Sequence, residues 1–251
     1  MRASLLGRRR VLQFTIAAAL AAAPARAAAP IKAVAFDAFV IFDPQPIVLL
    51  AEAAFPGHGQ AFNKLWRIRQ FEYTWLRTLT GSYVDFWRVT EEALVYAARA
   101  LKLDLTPGRR DQLMQGFLAL QAHPDASPGL DALRAAGIRL AFLSNMTEPM
   151  LQSAIRNAGF DGLFDHVLST DRVGAYKPDP RAYRMGLDAF GRKREEIVFA
   201  AFGGWDAAGA KRFGYPTFWC NRLGLPSEEL GVAPDATGGT LADLVAYIDR
   251  A

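Results

Sequence analysis

The first long buried pattern in the chain is Ala33-Val34-Ala35-Phe36, four apolar residues followed at once by Asp37. An unbroken apolar run of this length predicts a central β-strand. Similar runs predict strands over 138–143, 166–169, 197–201 and 216–221. Amphipathic stretches between and after them predict helices over 127–136, 149–158, 180–190, 206–213 and 240–248. Strands alternating with helices of this length give an α/β fold with a doubly wound parallel sheet.

Residues 45–122 break that alternation. Pro44-Gln45-Pro46 is expected to interrupt any immediate element, and the stretch that follows reads as helix throughout, over 47–54, 60–79, 83–101 and from Thr106-Pro107 to about residue 120. Thr106 and Pro107 have the character of an N-cap and first helical residue. Arg67, Phe71 and Trp75 are spaced i, i+4, i+8 and share one helix face. The block predicts a helical cap inserted into the α/β domain, with 28–44 and 123–251 forming the core domain.

The ends of the predicted strands carry polar residues: Asp37, Ser144-Asn145 and Asp206, with Lys177 in the loop Tyr176-Lys177-Pro178-Asp179. In an open parallel sheet these ends meet along one edge, where ligands bind. A carboxylate buried there without a partner would cost several kcal/mol, so Asp37 reads as a reagent. Singly, Ser144, Asn145 and Asp206 fit caps or loops, and Lys177 fits a solvated surface; together they form a site.

Charge changes the picture of possible partners. The chain of 251 residues has 29 basic and 25 acidic side chains, but residues 1–27 hold five arginines and no acid. The remainder carries 24 basic and 25 acidic residues, which removes the electrostatic basis for nucleic-acid binding. Arg8-Arg9-Arg10, a short apolar run from Phe14 to Ala23, and Ala25-Arg26-Ala27 have the pattern of a twin-arginine export signal with a small-x-small cleavage site. The expectation is a periplasmic protein whose mature chain starts near Ala28, without stable membrane insertion. Cys220, the only cysteine, reads as core.

The order strand–Asp37, strand–Ser144, Lys177-Pro178-Asp179, strand–Asp206 resembles the haloacid dehalogenase superfamily. In its phosphatases the second residue after the nucleophile is another Asp that serves as acid/base and helps to hold Mg²⁺. Here it is Phe39, which can neither ligate a metal nor carry a proton. A closer resemblance is to the type II (L-2-haloacid) dehalogenases, carried by Leu65-Trp66-Arg67, by Phe71 to Arg77, by Phe142-Leu143-Ser144-Asn145, by Tyr176 to Asp179 with Arg181 and Tyr183, and by Trp205-Asp206-Ala207.

That resemblance implies an (S)-2-haloacid dehalogenase needing no cofactor or metal, acting on short 2-haloacids through an ester on Asp37, and a homodimer. It implies that Lys177 keeps Asp37 ionised, that Ser144 and Asn145 border the substrate carboxylate, and that Arg67 takes the halide. Phe39, Phe71, Phe86 and Trp205 become apolar walls, while Tyr183 and Asp206 orient Lys177 and the hydrolytic water. The chain departs from the family at four places. Val40-Ile41 stand where a Gly-Thr pair is usual, and Ala201 and Gly203 replace a Ser and an Asn. Each lost hydrogen bond to a charged group is expected to slow a reaction roughly ten- to a hundred-fold unless replaced. Two other functions stay open: a small-carboxylate-binding protein without turnover, and a small-molecule phosphatase.

Overall fold

The protein, a computed structural model, is described over residues 30–251. The predicted export signal at 1–27 lies outside the described residues. Strand β1 (Ala33–Phe36) leads through Asp37 into the single helical turn α1 (Ala38–Ile41) and the short strand β2 (Phe42–Asp43). Helices α2 (Gln45–Ala54), α3 (Gly59–Thr80), α4 (Phe86–Ala100) and α5 (Pro107–Gln115) follow, and strand β3 (Gln121–Ala122) returns the chain. The second part alternates: α6 (Ala126–Ala135), β4 (Arg139–Ser144), α7 (Glu148–Asn157), β5 (His166–Ser169), α8 (Pro180–Phe190), β6 (Ile197–Ala201), α9 (Gly204–Phe213) and β7 (Thr217–Cys220). It closes with β8 (Ala236–Gly238) and α10 (Leu241–Ile248).

Six strands form one sheet in the order β5-β4-β1-β6-β7-β8, every neighbouring pair parallel. β1 lies in the middle, and its four residues have no solvent exposure. Val34 and Phe36 face a core layer filled from α6, α7 and α10. Ala33 and Ala35 face the other layer, filled from α8 and α9. The result is the predicted doubly wound α/β core, and the predicted helical insertion is there as well.

Several expectations need correction. Pro46 does not interrupt the chain; it lies in the first turn of α2, where its fixed φ fits a helix and its missing N–H would have had no partner. α4 begins at Phe86 instead of residue 83, because Asp85 caps it by accepting from Arg88 N at 2.8 Å. The last cap helix ends at Gln115, followed by a 3₁₀ turn over Gly116–Leu118. The two-residue pair β2–β3 and the edge strand β8 went unpredicted.

In the cap, Phe62, Trp66, Gln70 and Thr74 recur every four residues and are the side of α3 that packs on α4. Trp66 Nε1 donates to the Thr90 carbonyl at 2.8 Å, and Gln70 Nε2 to Thr90 Oγ1 at 2.7 Å. Gly81, at φ 66°, ends α3 in a left-handed conformation that glycine adopts without strain. The cap is fastened to the core through the Lys177 loop: Tyr176 N donates to Thr78 Oγ1 at 3.1 Å and Tyr176 OH to the Val84 carbonyl at 2.6 Å.

Candidate active site

Asp37 follows the last residue of β1, so the sheet places it at the C-terminal edge. Its N–H donates to the Ala200 carbonyl at 2.9 Å, continuing the β1–β6 pairing. Its side chain caps α1, with Oδ1 accepting from Phe39 N at 3.0 Å. The carboxylate is therefore oriented by the backbone of the turn that follows it.

Lys177 has no exposed surface. Its Nζ donates to Asp37 Oδ2 at 2.7 Å and to Asp206 Oδ2 at 2.6 Å. Burial alone would lower its pKa; the carboxylates of Asp206 and Asp37 outweigh that and raise it above the ordinary lysine value. The loop that carries it is held by Asn145, whose Oδ1 accepts from Lys177 N at 3.0 Å. Asn145 thus positions the lysine backbone as well as bordering the cavity.

Asp206 lies in the first turn of α9 with 1 % exposure. Burial pushes its pKa up to about 6, with Lys177 pulling it down and Asp37 pushing it further up. Tyr183 OH donates to Asp206 Oδ1 at 2.7 Å, and Tyr215 OH donates in turn to the Tyr183 carbonyl, also at 2.7 Å. Gly209 lets α9 come this close, because a Cβ there would run into the Tyr183 hydroxyl and lie 2.7 Å from Pro178 Cβ. Tyr183 is fully buried and reaches the cavity only through Asp206.

Over this trio lies a cavity of about 190 Å³, bordered by Asp37, Phe39, Arg67, Phe71, Phe86, Ser144, Asn145, Trp205 and Asp206 among others. Every predicted site residue except Lys177 and Tyr183 borders it; those two are fully buried beneath it. Arg67 comes from the cap, its guanidinium carbon 5.1 Å from the Phe39 ring centre and 5.2 Å from that of Phe71. Its Nη1 is buried and has no hydrogen-bond partner. Burial lowers the Arg67 pKa, and the Asp37 charge draws it back up. Phe71 stacks on Trp75, and both meet Trp205 edge-on, so the predicted i, i+4, i+8 face is a ring-lined roof.

Ser144 Oγ accepts from Met146 N at 3.1 Å, which turns the chain at the end of β4 and leaves the hydroxyl hydrogen available. Met146, Phe202, Asn221 and Leu223 also border the cavity and were not singled out from the sequence. Asn221, directly after β7, could have been found by extending the strand-end rule to that strand. At Gly203 an added Cβ would lie 2.7 Å from Trp205 Nε1, so the indole fills the space where the family carries an amide. Ala201 and Ile41 are fully buried. The residues that replace the family's hydroxyls therefore add apolar contacts where polar ones are usual. Among the described residues no three His, Cys, Asp or Glu side chains gather as a metal site.

Residues 12–214 match the haloacid dehalogenase-like hydrolase family. The chain belongs to that family, on its L-2-haloacid dehalogenase (type II) branch. It is 42 % identical over 204 residues to the haloacetate dehalogenase H-2 of Moraxella sp. (strain B), covering 81 % of this chain and 91 % of that one. The crystal structure of the L-2-haloacid dehalogenase RSc1362 superposes with a TM-score of 0.86 at 44 % identity, over 88 % of this chain and all of that one. The L-2-haloacid dehalogenase of Xanthobacter autotrophicus with chloropropionic acid covalently bound gives a TM-score of 0.81 at 34 % identity, over 87 % and 98 %.

Proposed function

We propose that the protein hydrolyses the carbon–halogen bond of short 2-haloalkanoic acids, giving 2-hydroxy acids and halide. The observation that carries this reading is the ion pair of 2.7 Å between Asp37 and a fully buried Lys177, set beneath a cap arginine whose Nη1 lacks a partner. Phe39, two residues after Asp37, lines the cavity where a phosphatase of the superfamily has its second acid.

An Asp37 oxygen attacks C2 of the substrate from the side opposite the halogen. The carbon–halogen bond breaks with both electrons leaving on the halide, C2 inverts, and an ester joins it to Asp37. Arg67 Nη1 is the donor for the departing anion, with Phe39 and Phe71 holding the guanidinium in place. Ser144 OH and neighbouring backbone N–H groups hold the substrate carboxylate. The aromatic walls keep bulk water from the nucleophile.

Water then attacks the carboxyl carbon of the ester. Negative charge develops on an Asp37 oxygen that already has Lys177 Nζ or Phe39 N–H within 3.0 Å, the geometry of an oxyanion hole. Asp206 takes the proton of that water, its raised pKa suiting a base that works near neutral pH. The bond from the carboxyl carbon to the substrate oxygen breaks, and the departing alkoxide takes the proton held by Asp206 and leaves as the 2-hydroxy acid. Asp37 is restored as a carboxylate with one oxygen from water, the remaining proton passing to solvent.

Export to the periplasm is supported by the arginine-led apolar leader, and N-terminal sequencing of secreted protein should start near Ala28. A homodimer is supported by the exposed Leu76, Leu79 and Tyr96 of the cap; sedimentation at equilibrium tests it. The near-neutral charge after the leader supports a small-molecule partner and no nucleic acid.

The test is turnover of 2-chloro-, 2-bromo- and 2-fluoroacids in ¹⁸O water. Halide release with ¹⁸O entering Asp37 over several turnovers is the expected result. Release without label would mean direct attack of water on the substrate. A folded protein that binds 2-haloacids and releases nothing would be a carboxylate-binding protein, the reading that the losses at Ile41, Ala201 and Gly203 favour.

A further inference from the structure

We infer that Arg222 is a positioning residue for the nucleophile, holding the turn α1 from behind the active site. Arg222 follows β7 and does not border the cavity. Its Nε and Nη2 both donate to the Val40 carbonyl, at 3.2 and 2.9 Å. The other edge of the guanidinium forks onto Asp125, Nη1 to Oδ1 at 2.9 Å and Nη2 to Oδ2 at 3.1 Å. Asp125 also accepts from Leu241 N at 2.7 Å, tying the first turns of α6 and α10 into the same cluster.

What Arg222 holds is small and exacting. α1 has four residues, so its last carbonyls have no partner within the turn. All of them find one outside: Phe39 O meets His123 Nε2 at 3.3 Å, Val40 O meets Arg222, and Ile41 O accepts from His123 N at 2.9 Å. Asp37 is bound to this same turn through Phe39 N–H and through Val40 N, which donates to the Asp37 carbonyl at 3.1 Å. A displacement of the turn therefore moves the carboxylate.

In this chain Ile41 offers no hydroxyl to the nucleophile, so backbone geometry orients its Oδ1. Misplacing a reacting group by about 1 Å can cost 10²-fold in rate. Substrate is gripped mainly from other elements, by Arg67 of the cap and by the end of β4. α1 adds only the Phe39 ring, which shares the Arg67 guanidinium with Phe71, so loosening α1 slows chemistry far more than it weakens binding. This part of the inference rests on the dehalogenase reading; the placement of the turn does not.

Arg222→Lys keeps the positive charge for Asp125 but loses the planar fork. Two measurements on the full-length variant decide the matter. Amide exchange of a peptide covering 37–42 is expected to speed up at least 10-fold while peptides from β4 and β6 keep wild-type protection. Exchange at 37–42 that is unchanged, or that speeds up equally throughout, overturns the inference whatever the activity. With a 2-bromoacid, kcat is expected to fall at least 10-fold with KM within about twofold; an unchanged kcat, or a rise in KM alone, overturns it too. If wild-type protein releases no halide, the dehalogenase reading fails and the exchange experiment still decides the role of Arg222. Should Arg222→Lys not fold, Asp125→Asn, which loosens the same guanidinium from its far edge, is expected to give the same local exchange change, and no such change overturns the inference.

Discussion

Lys177 and Asp37 form an ion pair in which the ammonium has no exposed surface while the Asp37 side chain keeps 12 %. The partner that must stay charged is sealed in, and the one that must react faces the cavity. Replacing Lys177 by Met removes the cation bonded to both Asp37 and Asp206. Uncompensated burial of charge costs about 3–5 kcal/mol, and losing the donor at the developing oxyanion costs about 10²–10³ in rate. Thermal melts should show a clear loss of stability, and halide release should fall by at least that factor. A variant of wild-type stability would mean that the pair is not a net support of the fold.

Asp206 sets a pH dependence. Its pKa is raised from 3.8 to about 6, so between these values the folded protein holds a proton that the unfolded chain has released. Stability from this group is present below about pH 4 and is lost as pH rises through about 6, with a slope of up to about 1.4 kcal/mol per unit. Activity should move the other way, because the base of the ester-hydrolysis step must be ionised: kcat should climb with pH up to about 6 and then level. Asp206→Asn should show neither slope, with a low residual rate. Urea melts and rate profiles from pH 4.5 to 8 test both signs.

Arg67 should make the protein a halide sensor. Bromide or chloride that reaches the free Nη1 binds the folded state only and raises its melting temperature by mass action. Wild-type protein should be stabilised by a few degrees in bromide over a non-binding salt at equal ionic strength. Arg67→Gln should lose that shift and at least about 100-fold in turnover. An equal shift in both proteins would place the halide site elsewhere.

Most of this site could be read from local sequence because strand ends are sequence features. An apolar run followed by a polar residue located Asp37, Ser144 and Asp206, and the parallel topology brought them to one edge. Lys177 was found by its Pro-Asp neighbours, yet nothing local says that it is fully buried or shared by two acids; that depends on contacts 140 and 29 residues away. Arg222 was invisible for the same reason. It acts on a carbonyl 182 residues distant, and backbone acceptors leave no mark in a sequence. Pro46 was misread because the rule that proline breaks elements does not separate the first turn of a helix from its interior.

Restoring the family's hydroxyls should separate what the site lacks from what it has replaced. Ala201 ends β6, two residues beyond Phe199, and shares its strand face; Lys177 Nζ lies 5.1 Å above the Phe199 ring. A serine hydroxyl at 201 would stand beside the Lys177–Asp37 pair with charged partners at hand. Such a bond is worth about 1.5–3 kcal/mol, so Ala201→Ser should raise turnover about 10-fold with little change in melting temperature. Ile41→Thr differs, because Ile41 is fully buried in the large core cluster, at the end of the turn that His123 and Arg222 already hold. Burying a hydroxyl there costs roughly 1–3 kcal/mol where no acceptor is free. This variant should melt lower and gain less rate than Ala201→Ser. If Ile41→Thr proves the faster of the two at unchanged stability, then the turn α1 has room that its bonded carbonyls do not suggest, and the nucleophile is held less firmly than its contacts imply.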